Sequence, residues 1–122
     1  LDHDQTGLEP ARRLAALAEE TDNAEYKVLA YSRIATIDPF DSGPHGVLGR
    51  LAVERGDYDN AILEFRLGLA TGPIDTVVAY TDLAEAYLLN RQTENAKREA
   101  LLALELAPSY ERAQELLLRA IQ

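Results

Sequence analysis

The chain has no cysteine and no methionine, only two phenylalanines and two histidines, and few cations. Without cysteine there can be no disulfide and no thiolate metal site, although its absence does not fix a compartment. The missing methionine, at position 1 as elsewhere, points to a segment of a longer protein or to a processed product. No run approaches the roughly 20 apolar residues needed to cross a bilayer. No basic-then-apolar signal segment opens the chain, so a water-facing chain of unassigned compartment is expected. Lys and Arg total 12 against 21 Asp and Glu, a net charge of −9. A nucleic-acid binder needs clustered cations to displace counterions from phosphate, and an anionic membrane surface needs them too. The sequence therefore argues against nucleic acid and membrane as partners.

Catalytic signatures are missing as well. His3 and His45 have no partner at metal-binding spacing, and there is no His-Glu-x-x-His helix, phosphate-cradling glycine loop or Gly-x-Ser-x-Gly elbow. Asp2-His3-Asp4 could hold a metal loosely but lacks the rigidity and supporting shell of a built site. Gly43-Pro44-His45-Gly46 reads as a helix start. Glu19-Glu20, Asp57 and Asp59 belong to helix ends and turns, not to a pocket that separates two pKa values. Tyr58, Phe65, Tyr80 and Tyr87 recur at packing positions. No enzymatic activity, cofactor or metal is expected.

What the chain does contain is a period. Around Gly56-Asp57-Tyr58-Asp59-Asn60-Ala61, one apolar helical pattern (Leu48, Leu51, Ala52) ends and another (Ala61, Ile62, Phe65, Leu69) begins. Gly56 can close the first helix in the left-handed conformation, and Asp57 or Asp59 can cap the second. Pro73 ends it. The same helix–turn–helix–proline unit recurs: Pro39, Pro73 and Pro108 are 34 and 35 residues apart, as are Leu14, Leu48 and Leu83, each followed by a small residue, Ala15, Gly49 or Ala84. Ala61 pairs with Ala96, and Gly68 with Ala103. Asn90 is the expected left-handed closing residue of the third unit, Asp41 or Ser42 the cap before Pro44, and Asp75 or Thr76 the next cap. Hydrophobic residues at 47% are ample for a core.

This pattern resembles the tetratricopeptide repeat family, whose units carry Leu-Gly, Tyr, Ala, Phe, Ala and Pro at set offsets. Unit two (42–75) matches at Leu48-Gly49, Gly56, Tyr58, Ala61, Phe65 and Pro73. Unit three (77–110) matches at Tyr80, Leu83-Ala84, Tyr87, Ala96, Ala103 and Pro108. Unit one (8–41) matches at Leu14-Ala15, Ala18, Tyr31 and Pro39, while Lys27 departs from the pattern where a small residue is wanted. The resemblance implies an all-α, right-handed superhelical solenoid of antiparallel helix pairs with about seven helices: residues 1–7 a tail, 8–122 one domain, 110–122 a capping helix. Ala113, Leu116, Leu117, Ala120 and Ile121 should share the buried face of that helix, with Leu118 an incidental exception.

The resemblance also implies a concave groove lined by the first helix of each unit, at Glu9, Arg12, Ala16, Glu19 and Glu20; Gly43, Gly46, Arg50, Val53 and Glu54; and Val78, Thr81, Glu85, Leu88 and Leu89. Arg12 and Arg50 offer cationic forks for a peptide carboxylate, and Val53, Leu88 and Leu89 offer apolar contact. The version of the family that grips Glu-Glu-Val-Asp chaperone tails uses a Lys and Asn clamp; the corresponding residues here are Arg12 and Ala16, with Val47 and Asp82 nearby, which argues against such tails. The expected function is a non-catalytic interaction or scaffold module holding a peptide, a helix or a neighbouring domain. The alternative is a structural accessory domain, C-terminal in a larger protein, enzymatic or not, whose partner is then the rest of its own chain. Self-association through the ends of the array is a third possibility.

Overall fold

Three turns of one design set the architecture. In the computed structural model, which describes residues 3–73 and 75–122 with side chains from residue 7 onward, backbone at Asp22 (φ 51°), Gly56 (φ 76°) and Arg91 (φ 64°) is left-handed. After each, an amide reaches back five residues to close the preceding helix: Asn23 to Ala18 at 3.0 Å, Asp57 to Ala52 at 2.8 Å and Gln92 to Tyr87 at 2.8 Å. Two of the helices that follow are then capped by a side chain: Asn23 accepts from Tyr26 N–H at 3.1 Å and Asp57 from Asn60 N–H at 3.4 Å.

Seven helices result among the described residues: α1 (His3–Thr21), α2 (Ala24–Ile37), α3 (Gly43–Glu54), α4 (Tyr58–Ala70), α5 (Thr76–Leu89), α6 (Thr93–Leu106) and α7 (Glu111–Ala120). Neighbours in sequence pack as neighbours in space, and α7 packs on both α5 and α6. The array is a helical solenoid of the tetratricopeptide type. Asp75 caps α5 through Val78 N–H at 3.1 Å, and Asp41 accepts from Gly43 N–H at 3.0 Å while the Ser42 side chain makes no cap.

Four details differ from the sequence expectation. The left-handed residue after α5 is Arg91, not Asn90. Asn90 instead reaches across to the second unit, its amide donating to Asp59 at 3.0 Å. Second, α1 begins at His3, so residues 3–7 of the expected tail are helical. Leu8 continues the apolar stripe of Ala11 and Ala15, and Gly7 lies against Ile37. The side chains of Asp2-His3-Asp4 lie outside the described residues. Third, Ile121 is 57% exposed and sits with Leu118, at 58%, on the open side of α7. One repeat back, those positions are Ala84 and Tyr87, both buried against neighbouring helices; α7 has no following helix among the described residues to cover its own pair. Fourth, Lys27 occupies the small-residue position without a slip in register. Its ammonium pairs with Asp22 at 2.7 Å and Glu19 at 3.7 Å.

The interior divides into three clusters, one of which (Ala84, Ala100, Leu116, with Leu88 and Leu117 against it) seats α7 on α5 and α6. A second (Ala52, Ala61, Ile62, Phe65, Leu83, Ala86, Tyr87, Ala96) fuses units two and three. The third (Ala11, Ala15, Ala30, Ile34), joined by Leu8, Leu14 and Tyr31, belongs to unit one. Gly49 is required where it stands, because a Cβ there would run into the Phe65 ring.

Candidate functional site

The resemblance puts the groove on the first helices of the units, α1, α3 and α5, and the residues singled out in the sequence differ there in exposure. Arg12 and Ala16 are exposed and line an open hollow of about 420 Å³ with Tyr31, Asp41, Pro44 and Val47. Arg50 and Glu54 border a smaller one of about 170 Å³ with Glu19 and Lys27. Val53 and Leu88 pack on the fused core and Leu89 is half-buried, which limits the apolar contact they can offer a partner. Thr81 does not line the groove. It is wholly buried, its hydroxyl donating to the Val77 carbonyl at 2.7 Å.

Between units two and three the helices part. Gly43, Gly46 and Arg50 from α3 face Val78, Ala79 and Asp82 from α5 across a cavity of about 190 Å³, with Phe65 and Gly68 of α4 as its floor. The opening follows from composition. Two successive turns of α3 present glycine, so no side chain fills the gap.

Asp82 dominates the chemistry of this cavity. It is 7% exposed and lies at the junction of three helices. Arg112 of α7 donates to its Oδ1 at 2.8 Å and to Glu85 Oε1 at 3.0 Å. Arg50 of α3 approaches Oδ2 only to 3.7 Å, with over half its side chain in solvent. Burial raises the pKa of the Asp82 carboxyl, and Arg112 and Arg50 offset this only in part. Arg50 is therefore already turned toward an anion and is not the free fork the sequence implied.

Sequence reasoning placed Asp82 only as a residue near the clamp positions and missed its pairing with Arg112, because the repeat template marks neither as a groove position in this array. One signal was there: an aspartate among Val77, Val78, Ala79, Leu83 and Ala84 is an ionisable group in an otherwise apolar stretch. Elsewhere the inner face holds a hydrogen bond from Tyr31 Oη to Glu19 at 2.8 Å, which together with burial raises the tyrosine pKa, burial being the larger cause. In the second hairpin, buried His45 pairs through Nδ1 with Glu64 at 2.9 Å.

No family model matches the sequence, and no curated protein matches it significantly. Solved structures do. A Thermobaculum terrenum O-GlcNAc transferase (K341M mutant) is 26% identical over 99% of this chain, with a TM-score of 0.77; the chain spans 23% of the length of that protein. The second tetratricopeptide domain of human RPAP3, solved with an HSP70 peptide, aligns over 98% of both chains at 13% identity and a TM-score of 0.83. The Arabidopsis OM64 tetratricopeptide domain aligns over 96% of both at 14% identity and 0.80. The last two likenesses are of fold.

Proposed function

We propose that this tetratricopeptide-type array is a non-catalytic interaction module that holds an extended protein segment along its inner face. The observation that carries the reading is the cavity between α3 and α5, a side-chain-sized recess opening beside Arg50 and bordered by a buried, only partly compensated carboxylate. The peptide-bound human RPAP3 domain supports it by analogy of fold. Interaction through shape and a few polar contacts needs none of the reacting groups that the sequence lacks.

The test is a selection of peptides from a random display library, followed by backbone amide chemical-shift mapping. Bound peptides are expected to shift amides of α1, α3 and α5, with Arg12→Ala weakening binding. Shifts confined to the outer helices α2, α4 and α6, or no binder at all, would overturn it.

A second reading is favoured by the transferase match, in which a chain of this length corresponds to under a quarter of a larger protein. Here the array is an accessory domain of a bigger polypeptide. Light scattering of the segment mixed with its flanking sequence tests this: a stoichiometric complex supports the reading, and two independent species sink it.

A further inference from the structure

We propose that the cavity between α3 and α5 accepts a basic side chain, lysine or arginine, from the segment lying in the groove. This rests on the groove reading above and specifies its partner. The volume, about 190 Å³, exceeds the roughly 150 Å³ that admits a benzene-sized group, so one long side chain fits. Its lining includes Gly43, Gly46, Val78 and the Phe65 ring, apolar surface suited to an aliphatic stem.

The carboxylate in the lining selects the head group. Asp82 Oδ1 is held by Arg112, but Oδ2 has only Arg50 at 3.7 Å, beyond hydrogen-bond length. An apolar side chain filling the cavity would strip water from that oxygen and leave a buried acceptor without a donor. An acidic side chain would meet Asp82 and Asp75. An ammonium or guanidinium supplies the missing charge-assisted bond. Arg50, already half in solvent, withdraws as the incoming cation replaces it. Burial raises the Asp82 pKa despite both arginines, so the site has electrostatic room for a further positive charge, and the net charge of −9 draws cationic segments toward it.

The experiment uses the full 122-residue chain and fluorescein-labelled nonapeptides from the display selection, each remade with lysine, arginine, norleucine or glutamate at every position in turn. Fluorescence polarisation is expected to show one position where lysine or arginine binds at least tenfold more tightly than norleucine. Asp82→Asn should erase that preference. Gly46→Leu, which fills the mouth from a half-exposed helical site, should weaken basic peptides at that position while circular dichroism shows the fold retained. Equal binding of norleucine and lysine, or preference for glutamate, overturns the inference and leaves the groove reading standing. Failure of every peptide to bind overturns both.

Discussion

Units one and two share a plan, turn for turn, and differ in how they are held. Position by position they pair Ala15 with Gly49, Lys27 with Ala61, Tyr31 with Phe65 and Leu17 with Leu51. In unit two the small residues let a buried aromatic ring reach the neighbouring helix, and its core merges with that of unit three. In unit one the ring is a tyrosine turned to Glu19, the small residue is an ion-paired lysine, and Leu17 is 56% exposed where Leu51 is buried. A common period thus fixes where helices start and stop, while side-chain volume at matching positions decides whether adjacent hairpins fuse into one core. Units two and three share one core, and the candidate cavity lies on their seam.

The largest test of this contrast is a pair of truncations. Phe65→Ala should cost about 3–5 kcal/mol and Ile34→Ala about 2–5 kcal/mol. The two should differ in reach. Native-state hydrogen exchange of the Ile34 variant should show α1 and α2 opening while amides of α4, α5 and α6 stay protected. Uniform loss of protection would mean that the two clusters act as one.

A smaller effect tests the matched volumes. Gly49→Ala puts a better helix former into α3 yet should destabilise by about 1–3 kcal/mol, because the Phe65 ring must move. Adding Phe65→Leu should recover part of that loss. Ala84→Gly, the reverse change at the equivalent position of unit three, should cost only about 1 kcal/mol. Equal penalties in chemical denaturation would show that ring contact is not what distinguishes the positions.

Smaller still are the turns. Gly56→Ala places a Cβ on left-handed backbone and should cost about 1 kcal/mol, whereas Arg91→Gly relieves the same conformation and should gain up to about 1 kcal/mol. These turns also show what was legible beforehand. The prolines, the Leu-small pairs and Gly56 fixed the period and the helix count, because each is a local steric requirement that repeats. Asn90 misled because residue preference for left-handed backbone cannot say which of two adjacent residues adopts it; the closing bond from Gln92 to Tyr87 does. Of the residues the repeat template assigns to a groove, Arg12, Ala16, Arg50 and Glu54 border open hollows. Thr81 and Asp82, adjacent on α5, illustrate where a template fails: it marked Thr81, which is buried, and although the apolar surroundings of Asp82 were a signal, its pairing with Arg112 of α7 is a tertiary fact.

Titration gives the smallest and most discriminating comparison, because two carboxylates in different units are shifted in opposite directions. Hydrogen bonding to Lys27 lowers the pKa of Asp22. Its ionised form therefore favours folding, a contribution complete above the ordinary carboxylate range and lost as pH falls through the lowered value. Burial raises the pKa of Asp82 despite Arg112 and Arg50. The native state then holds that proton to higher pH than the unfolded chain does, so its contribution declines as pH rises from the ordinary carboxylate range through the raised value. Asp22→Asn should accordingly lower the urea midpoint slightly at neutral pH, by an amount that salt screens. Asp82→Asn, which keeps an acceptor for Arg112 without the charge, should leave the neutral-pH midpoint equal to or above that of the parent chain. An unchanged or raised midpoint would mark Asp82, a lining residue of the cavity, as better explained by what it binds than by what it holds together. A clear fall in the Asp82→Asn midpoint would reverse that conclusion and make Asp82 a strut of the α5–α7 junction.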